Sequence, residues 1–231
     1  GRIYYNKEQY QKAKEHVTKA LDLQKRIYDG NHPEIATSLN ILGLIYMRQQ
    51  QYAEAKDYFE SALEMRINFY GTDHPDVHKS RNDLASIYYF EKDYLKAAEL
   101  FKKVAESNKR VRGASHPEVA TSLNNLARSL HEANRKNESL QYYNEALKIG
   151  RKNYSIDHPK LIQFRRNKAV LHESLKQYEE ASQLWLTNFR ALEQKHGLTH
   201  QDTKNALEHL IKCHRKLDNS EKVEQYNSIL A

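Results

Sequence analysis

The sequence has little of the residues that build disulfide frameworks, long apolar helices or phosphate-binding loops. Its 231 residues include one cysteine, Cys213, four prolines and seven glycines. A lone cysteine excludes a disulfide framework within the chain and is typical of a reducing compartment, so we predict a cytoplasmic location. No apolar run approaches the roughly 18 residues that a transmembrane helix needs, so we expect no membrane span.

The composition describes a folded chain with a shallow core. Hydrophobic residues make up 39% and charged residues 29%, yet 16 Tyr and 6 Phe argue against disorder. Lys and Arg total 37 against 30 Asp and Glu, a net charge of +7. This excess is spread evenly along the chain, which favours an acidic partner. It does not favour nucleic acid, because nucleic-acid proteins concentrate positive charge on one surface.

An internal repeat dominates the sequence. The dipeptide His-Pro recurs every 42 residues and uses all four prolines, at His32-Pro33, His74-Pro75, His116-Pro117 and His158-Pro159. A fifth unit follows in register at His200-Gln201. Such a period is the signature of a repeat architecture. We divide the chain into a partial unit 1–31, full units 32–73, 74–115, 116–157 and 158–199, and a degenerate capping unit 200–231.

Each unit has the pattern of two helices. Proline fits the first position of a helix. In three of the four His-Pro units an acidic residue follows it, which suits the positive end of the helix dipole. The first helix of unit 32–73 has one face at helical spacing, formed by Leu39, Leu42, Gly43 and Tyr46. The second has a similar face, formed by Tyr52, Ala55, Phe59 and Ala62. Polar links join the helices, for example 49–51 and 133–137. The repeated histidines are expected to cap and pack the turns between units.

This pattern of Leu-Gly/Ala, Tyr, Tyr-x-x-Ala and then an aromatic residue resembles the tetratricopeptide repeat. The 42-residue length and the segments His32–Met65 and His116–Ile149 are similar to the repeats of kinesin light chain. The resemblance implies an all-α fold, a right-handed superhelix or α-α solenoid of antiparallel helix pairs. It also implies a non-enzymatic adaptor that binds proteins. Similar units occur in nephrocystin-type proteins and in signalling ATPases.

The resemblance weakens toward the C-terminus. Lys168 occupies a leucine position, and Asn188 replaces the small residue expected late in a second helix. The last unit has Gln201 where the others have proline. Terminal repeats are often atypical because they cap the stack.

The resemblance also implies that the first helix of each pair lines a concave groove. On the side of the helix away from Leu42, asparagine recurs at Asn40, Asn82 and Asn124. We predict that these amides hold the backbone of an extended, partly acidic peptide, since each has a donor and an acceptor. The alternative is that they hydrogen-bond the backbone of the next unit. Further candidate peptide-binding residues on this face are Arg166, Lys79, Arg128, Leu44, Tyr89, Phe90, Arg48, Lys212 and Arg215.

Two further readings of the sequence remain open. The array could be a rigid spacer or assembly module that binds through its second helices, or a sensor array attached to a signalling ATPase. We expect no cofactor and no metal site, because the histidines of the repeat lie one per unit, too far apart to share an ion. No phosphate loop, nucleophile elbow or other catalytic motif is present, so we expect no enzymatic activity.

Overall fold

The structure, a computed structural model, describes residues 2–28 and 30–230. Residues 1 and 29 of the predicted partial unit 1–31, and residue 231 of the predicted capping unit 200–231, lie outside the described residues. Its helices follow one another in pairs along the chain. They are α1 (Arg2–Asn6), α2 (Tyr10–Ile27), α3 (Pro33–Arg48), α4 (Tyr52–Tyr70), α5 (Pro75–Phe90), α6 (Tyr94–Arg112), α7 (Pro117–Glu132), α8 (Lys136–Asn153), α9 (Pro159–Ser174), α10 (Tyr178–His196), α11 (Gln201–Lys216) and α12 (Ser220–Leu230).

The chain divides into two compact units, each of which contains several 42-residue repeats. From here on, the first and second unit are these two larger parts of the chain. The first, Gly1–Arg112, contains α1 to α6, and the second, Gly113–Ala231, contains α7 to α12. Within each unit every helix packs on the next one along the chain. First helices of neighbouring pairs also touch: α3 contacts α5, and α7 contacts α9. No strand occurs among the described residues. The prediction of an all-α array of helix pairs is confirmed. Helix α8 begins at Lys136, two residues earlier than the predicted link 133–137 allowed.

The core follows the repeated small and aromatic columns. In the first unit Ala55, Phe59 and Ala62 are completely buried. Burying a phenylalanine side chain contributes about 2 kcal/mol, so these rings supply much of the cohesion between helices. Gly43 lies against Phe59: a Cβ on this glycine would come 2.7 Å from the ring. This close approach explains why glycine stands here while later repeats have Ala85, Ala127 and Ala169.

The repeated histidines are helix caps, as predicted. His32, His74, His116, His158 and His200 each precede a first helix in extended backbone, and each Nδ1 accepts a hydrogen bond from the N–H two residues on, at 3.2 Å. Such a bond satisfies one of the free N–H groups at the helix start. Four of the imidazoles also stack on the ring four residues earlier, in the pairs Tyr28–His32, Tyr70–His74, Tyr154–His158 and His196–His200.

The links inside the pairs share one backbone conformation. The middle residue of each link has a positive φ of 52–65°, although none is glycine; these residues are Glu8, Gln50, Lys92, Asn134, Lys176 and Asp218. The following N–H reaches back to the helix, as Gln51 N does to Tyr46 O at 3.0 Å. This is a Schellman-type stop, which satisfies carbonyls at the helix end.

The described helices include none that is both long and apolar enough to cross a membrane. Lys168, in the leucine column of the second unit, is half-buried, and burial together with Arg151 lowers the pKa of its ammonium group.

Candidate peptide-binding surface

Asn40 is not on an open surface, contrary to the expectation from the helical pattern. Its side chain is 2% exposed. Its Nδ2 donates to Asp83 Oδ2 at 3.0 Å, and its Oδ1 accepts from Arg66 Nη1 at 3.3 Å. Arg66 is itself buried and also donates to Ser80 Oγ at 2.6 Å. Asn40 is therefore held in a buried polar network that joins α3, α4 and α5.

Asn124 of the second unit is buried in the same way, with 1% exposed. Its Oδ1 accepts from Asn167 Nδ2 at 3.0 Å, and its Nδ2 lies 3.5 Å from Asn125 Oδ1. Asn40 and Asn124 thus each contact the residue 43 positions later, on the first helix of the next pair. The alternative prediction was that these asparagines hydrogen-bond the backbone of the next repeat. They do bond the next repeat, but through its side chains Asp83 and Asn167.

Asn82 differs from the other two asparagines. It is half-buried, and its Oδ1 is a buried acceptor with no hydrogen-bond partner among the described residues. On the same helix, α5, Lys79 is exposed. On α3, Arg48 is exposed and its Nε donates to Tyr5 Oη at 3.3 Å. Asn82, Lys79 and Arg48 are the polar candidates of the first unit that contact solvent.

The predicted apolar residues of the first unit lie among other aromatic side chains. Leu44 is half-buried in a cluster with Phe59, Leu84 and Ile87. Tyr89 is half-buried and meets Phe90 edge-on, with ring centroids 6.3 Å apart. Phe90 is 51% exposed and stacks on Tyr52 at 5.6 Å. Of the three, Phe90 presents the most apolar surface to solvent.

The basic candidates of the second unit are used in different ways. Arg166 and Arg215 are exposed, and Arg128 is half-buried. Lys212, in contrast, donates through Nζ to Glu173 Oε2 at 2.8 Å. The same carboxylate accepts from Trp185 Nε1 at 2.8 Å and bonds His209 Nδ1 at 2.9 Å. Lys212 therefore helps to join α9 to α11, a contact that no sequence spacing predicts.

The pKa of the Glu173 carboxyl group is strongly shifted by its surroundings. Burial raises its pKa, but the hydrogen bonds from His209, Lys212 and Trp185 together outweigh burial and lower the pKa to about 2. The carboxylate is therefore ionised at neutral pH and holds three side chains in place. These three include the stacked pair Trp185 and His209, whose rings lie 4.3 Å apart.

A pocket of about 540 Å³ opens between α9, α10 and α11 of the second unit. Its walls include Arg166, which belongs to the predicted peptide-binding set, together with Gln163 and Glu208 from the first helices α9 and α11. The second helix contributes Asn188, which the candidate set missed. The sequence carried a signal for it, since Asn188 stands where a small residue was expected.

Among the described residues, no group of three or more His, Cys, Asp or Glu side chains is placed to hold a metal ion. Cys213 is buried, and burial, assisted by the charge of Glu173, raises the pKa of its thiol to about 12.

The chain belongs to the tetratricopeptide repeat family. The family profile matches residues 1–68, 34–107 and 76–152, overlapping segments that together cover more than half of the chain. No curated protein matches the sequence.

Solved structures with the same fold include repeats of kinesin light chain type. Nearly identical TPR-like repeats described as those of a Podosopora anserina kinesin light chain superpose with a TM-score of 0.74 at 22% identity, covering 84% of this chain and 92% of that one. BtubC (BKLC) from P. vanneervenii gives a TM-score of 0.79 at 16% identity, covering 95% and 90%. PilF of Pseudomonas aeruginosa gives 0.67 at 15% identity, covering 98% and 85%. These likenesses establish the fold.

Proposed function

We propose that this chain is a non-enzymatic adaptor that binds an extended, partly acidic peptide segment of a partner protein along its first helices. Repeats of this family form scaffolds for protein–protein interaction. The observation that carries the proposal is the exposed Arg166 at the pocket of the second unit. An arginine guanidinium suits a carboxylate because its N–H groups pair with both carboxylate oxygens.

The first helices would supply different contacts in each unit. In the first unit, Lys79 and Arg48 offer positive charge and Phe90 offers an apolar anchor. Asn82 offers an amide oxygen that accepts no hydrogen bond from the described residues. Exposed aromatic side chains are frequent anchors at interfaces. In the second unit, Arg128, Arg166 and Arg215 would attract acidic side chains. Asn40 and Asn124 would support these surfaces from beneath rather than touch the peptide, since both are buried. The single, buried cysteine fits an adaptor that works in the cytoplasm.

A peptide screen with one charge reversal tests the proposal. The purified chain is screened against peptides rich in Asp, Glu and aromatic residues, with Lys-rich peptides as a comparison, and the best binder is measured again with Arg166→Glu. We expect at least about a tenfold loss of affinity, because a carboxylate–guanidinium pair becomes a repulsive pair.

The control is Arg190→Glu, an identical charge change at an exposed residue of the second helix α10. Arg190→Glu should leave affinity unchanged. The proposal is wrong if no acidic peptide binds, or if Arg190→Glu weakens binding while Arg166→Glu does not. The second result would indicate an assembly module that uses its second helices.

A further inference from the structure

Asn188 is a polar residue in an apolar column. The equivalent second-helix positions of the three preceding 42-residue repeats are Ala62, Val104 and Ala146, and all three are completely buried. Asn188 is also buried, with 1% of its surface exposed. The fold therefore needs only a small apolar side chain here. A buried amide at such a position costs stability unless both its polar atoms are hydrogen-bonded.

Within the part of the chain that the structure describes, one of the two polar atoms of Asn188 is hydrogen-bonded and the other is not. Its Nδ2 donates to Ile162 O at 3.0 Å, which fixes the orientation of the amide. Its Oδ1 is buried and accepts no hydrogen bond from the described residues. A buried acceptor without a partner costs about 1–3 kcal/mol. Since Asn188 lines the pocket between α9, α10 and α11, a ligand in this pocket is a natural source of the missing donor.

The positive and negative charges of the residues that line the pocket are equal in number. Arg166 and Lys195 contribute two positive charges, and Asp202 and Glu208 contribute two negative charges. An ion of either sign would be attracted by one pair and repelled by the other. A neutral group that has both a donor and an acceptor matches all of these residues, and a carboxamide is such a group.

One wall of the pocket contains a rigid pair of stacked aromatic rings. The rings of Trp185 and His209 are stacked with an interplanar angle of 13°, and both are fixed by hydrogen bonds to the Glu173 carboxylate. Both residues line the pocket. A flat wall favours a planar group, because planar π-systems stack on aromatic rings.

We propose that this pocket binds the side-chain carboxamide of a glutamine or asparagine in the partner segment. The amide N–H would donate to Asn188 Oδ1, and the amide oxygen would accept from one N–H group of Arg166, whose other N–H groups remain for a carboxylate of the same peptide. The amide plane would lie against the His209 ring, which stacks on Trp185. The inference rests on the proposed function, because it names a residue type within the peptide that the first helices bind. It adds that the peptide has one uncharged amide among its acidic residues.

A small-molecule titration tests the pocket directly. N-acetyl-glutamine N-methylamide is added to the ¹⁵N-labelled chain, and the Trp185 indole N–H and Asn188 side-chain NH₂ signals are followed by NMR. The matched probes are the corresponding glutamate and methionine compounds, which have similar length. We expect saturable shifts of both signals with the glutamine compound and at least about tenfold weaker binding of the other two.

Asn188→Ala is the informative variant, since alanine occupies this column at Ala62 and Ala146. We expect at least about a tenfold loss of affinity for the glutamine compound with an unchanged or higher melting temperature. Asn144→Ala, at an exposed position of α8, should leave affinity unchanged. A structural role for Asn188 would instead lower the melting temperature and leave affinity intact.

Three results would overturn the inference: no shift with the glutamine compound, equal binding of the glutamate compound, or unchanged affinity in folded Asn188→Ala. Its failure is distinguishable from failure of the proposed function. If Asn188→Ala keeps full affinity for an acidic peptide that Arg166→Glu abolishes, the adaptor proposal stands and the amide pocket does not.

Discussion

The three repeated asparagines occupy equivalent sequence positions but have different surroundings. Asn40 and Asn124 are buried and hydrogen-bonded to the neighbouring first helix. Asn82 is half-buried, with an acceptor that no described residue uses. A single residue type therefore joins neighbouring first helices at two positions, and at the third it has an acceptor that no described residue uses.

Asn40→Ala should lower the stability of the fold, whereas Asn82→Ala should leave it nearly unchanged. Asn40→Ala leaves Arg66 and Asp83 without their shared partner in a buried site, so we expect a loss of about 1–3 kcal/mol in the free energy of unfolding. Asn82→Ala should change that free energy by less than about 0.5 kcal/mol, the usual range for residues outside such networks. Urea unfolding followed by circular dichroism measures both, and an unchanged midpoint for Asn40→Ala would contradict the structural role of the network.

At the level of the helices, the repeated stop inside each pair is the unexpected feature. All six links place a residue other than glycine at positive φ. That backbone region favours glycine, because a Cβ crowds the neighbouring carbonyl. The links were predicted as polar, and of the six middle residues only Asn134 and Asp218 are types that often adopt the left-handed conformation.

Lys176→Gly is expected to stabilise the second unit. Lys176 has φ of 60° and is exposed, so glycine would relieve strain of about 1 kcal/mol. The control is Lys148→Gly in the interior of α8, where glycine should destabilise by about 1 kcal/mol. Thermal melting compares the two variants. Equal destabilisation by both would show that the left-handed link carries no strain.

At the level of the whole molecule, each compact unit contains a carboxylate whose pKa is lowered to about 2. In the first unit, hydrogen bonds from Arg110 and Ser107 lower the pKa of Asp73. In the second, Glu173 is ionised through its hydrogen bonds to His209, Lys212 and Trp185, despite burial. Because both folded-state pKa values lie below the ordinary values of 3.8 and 4.5, these groups stabilise the fold at neutral pH.

The stability that these carboxylates contribute should be lost as the pH falls from about 4.5 to about 2, where the folded state must take up protons. Glu173→Gln should lower the free energy of unfolding at pH 7 by about 1–3 kcal/mol and reduce its pH dependence in that range. The control is Glu224→Gln, at an exposed carboxylate of α12. Denaturant titrations between pH 2 and 7 measure the effect, and parallel curves for wild type and Glu173→Gln would contradict it.

The reaction rate of Cys213 with a thiol reagent provides an independent measure of unfolding of the second unit in these titrations. The thiol is buried, with a pKa raised to about 12, so it should react with thiol reagents only when α11 opens.

Much of the fold follows from residue order alone. The 42-residue spacing of His-Pro placed the helix starts, because proline and a capping residue specify that point whatever the surroundings. The small and aromatic columns located the core, since a helix pair must bury the same face in every unit. The family and the all-α class follow from these local rules.

The binding surface depends on contacts between residues far apart in sequence. Helical periodicity placed Asn40 and Asn124 away from the core, but the next first helix covers them. Lys212 was expected to face a ligand, whereas a carboxylate 39 residues earlier binds it. The pocket at Asn188 exists only because three helices surround it. The sequence determines which faces of each helix are apolar; tertiary packing decides which polar side chains the neighbouring helix satisfies and which it leaves for a partner, because hydrogen bonds between helices depend on distances that a repeat period does not encode.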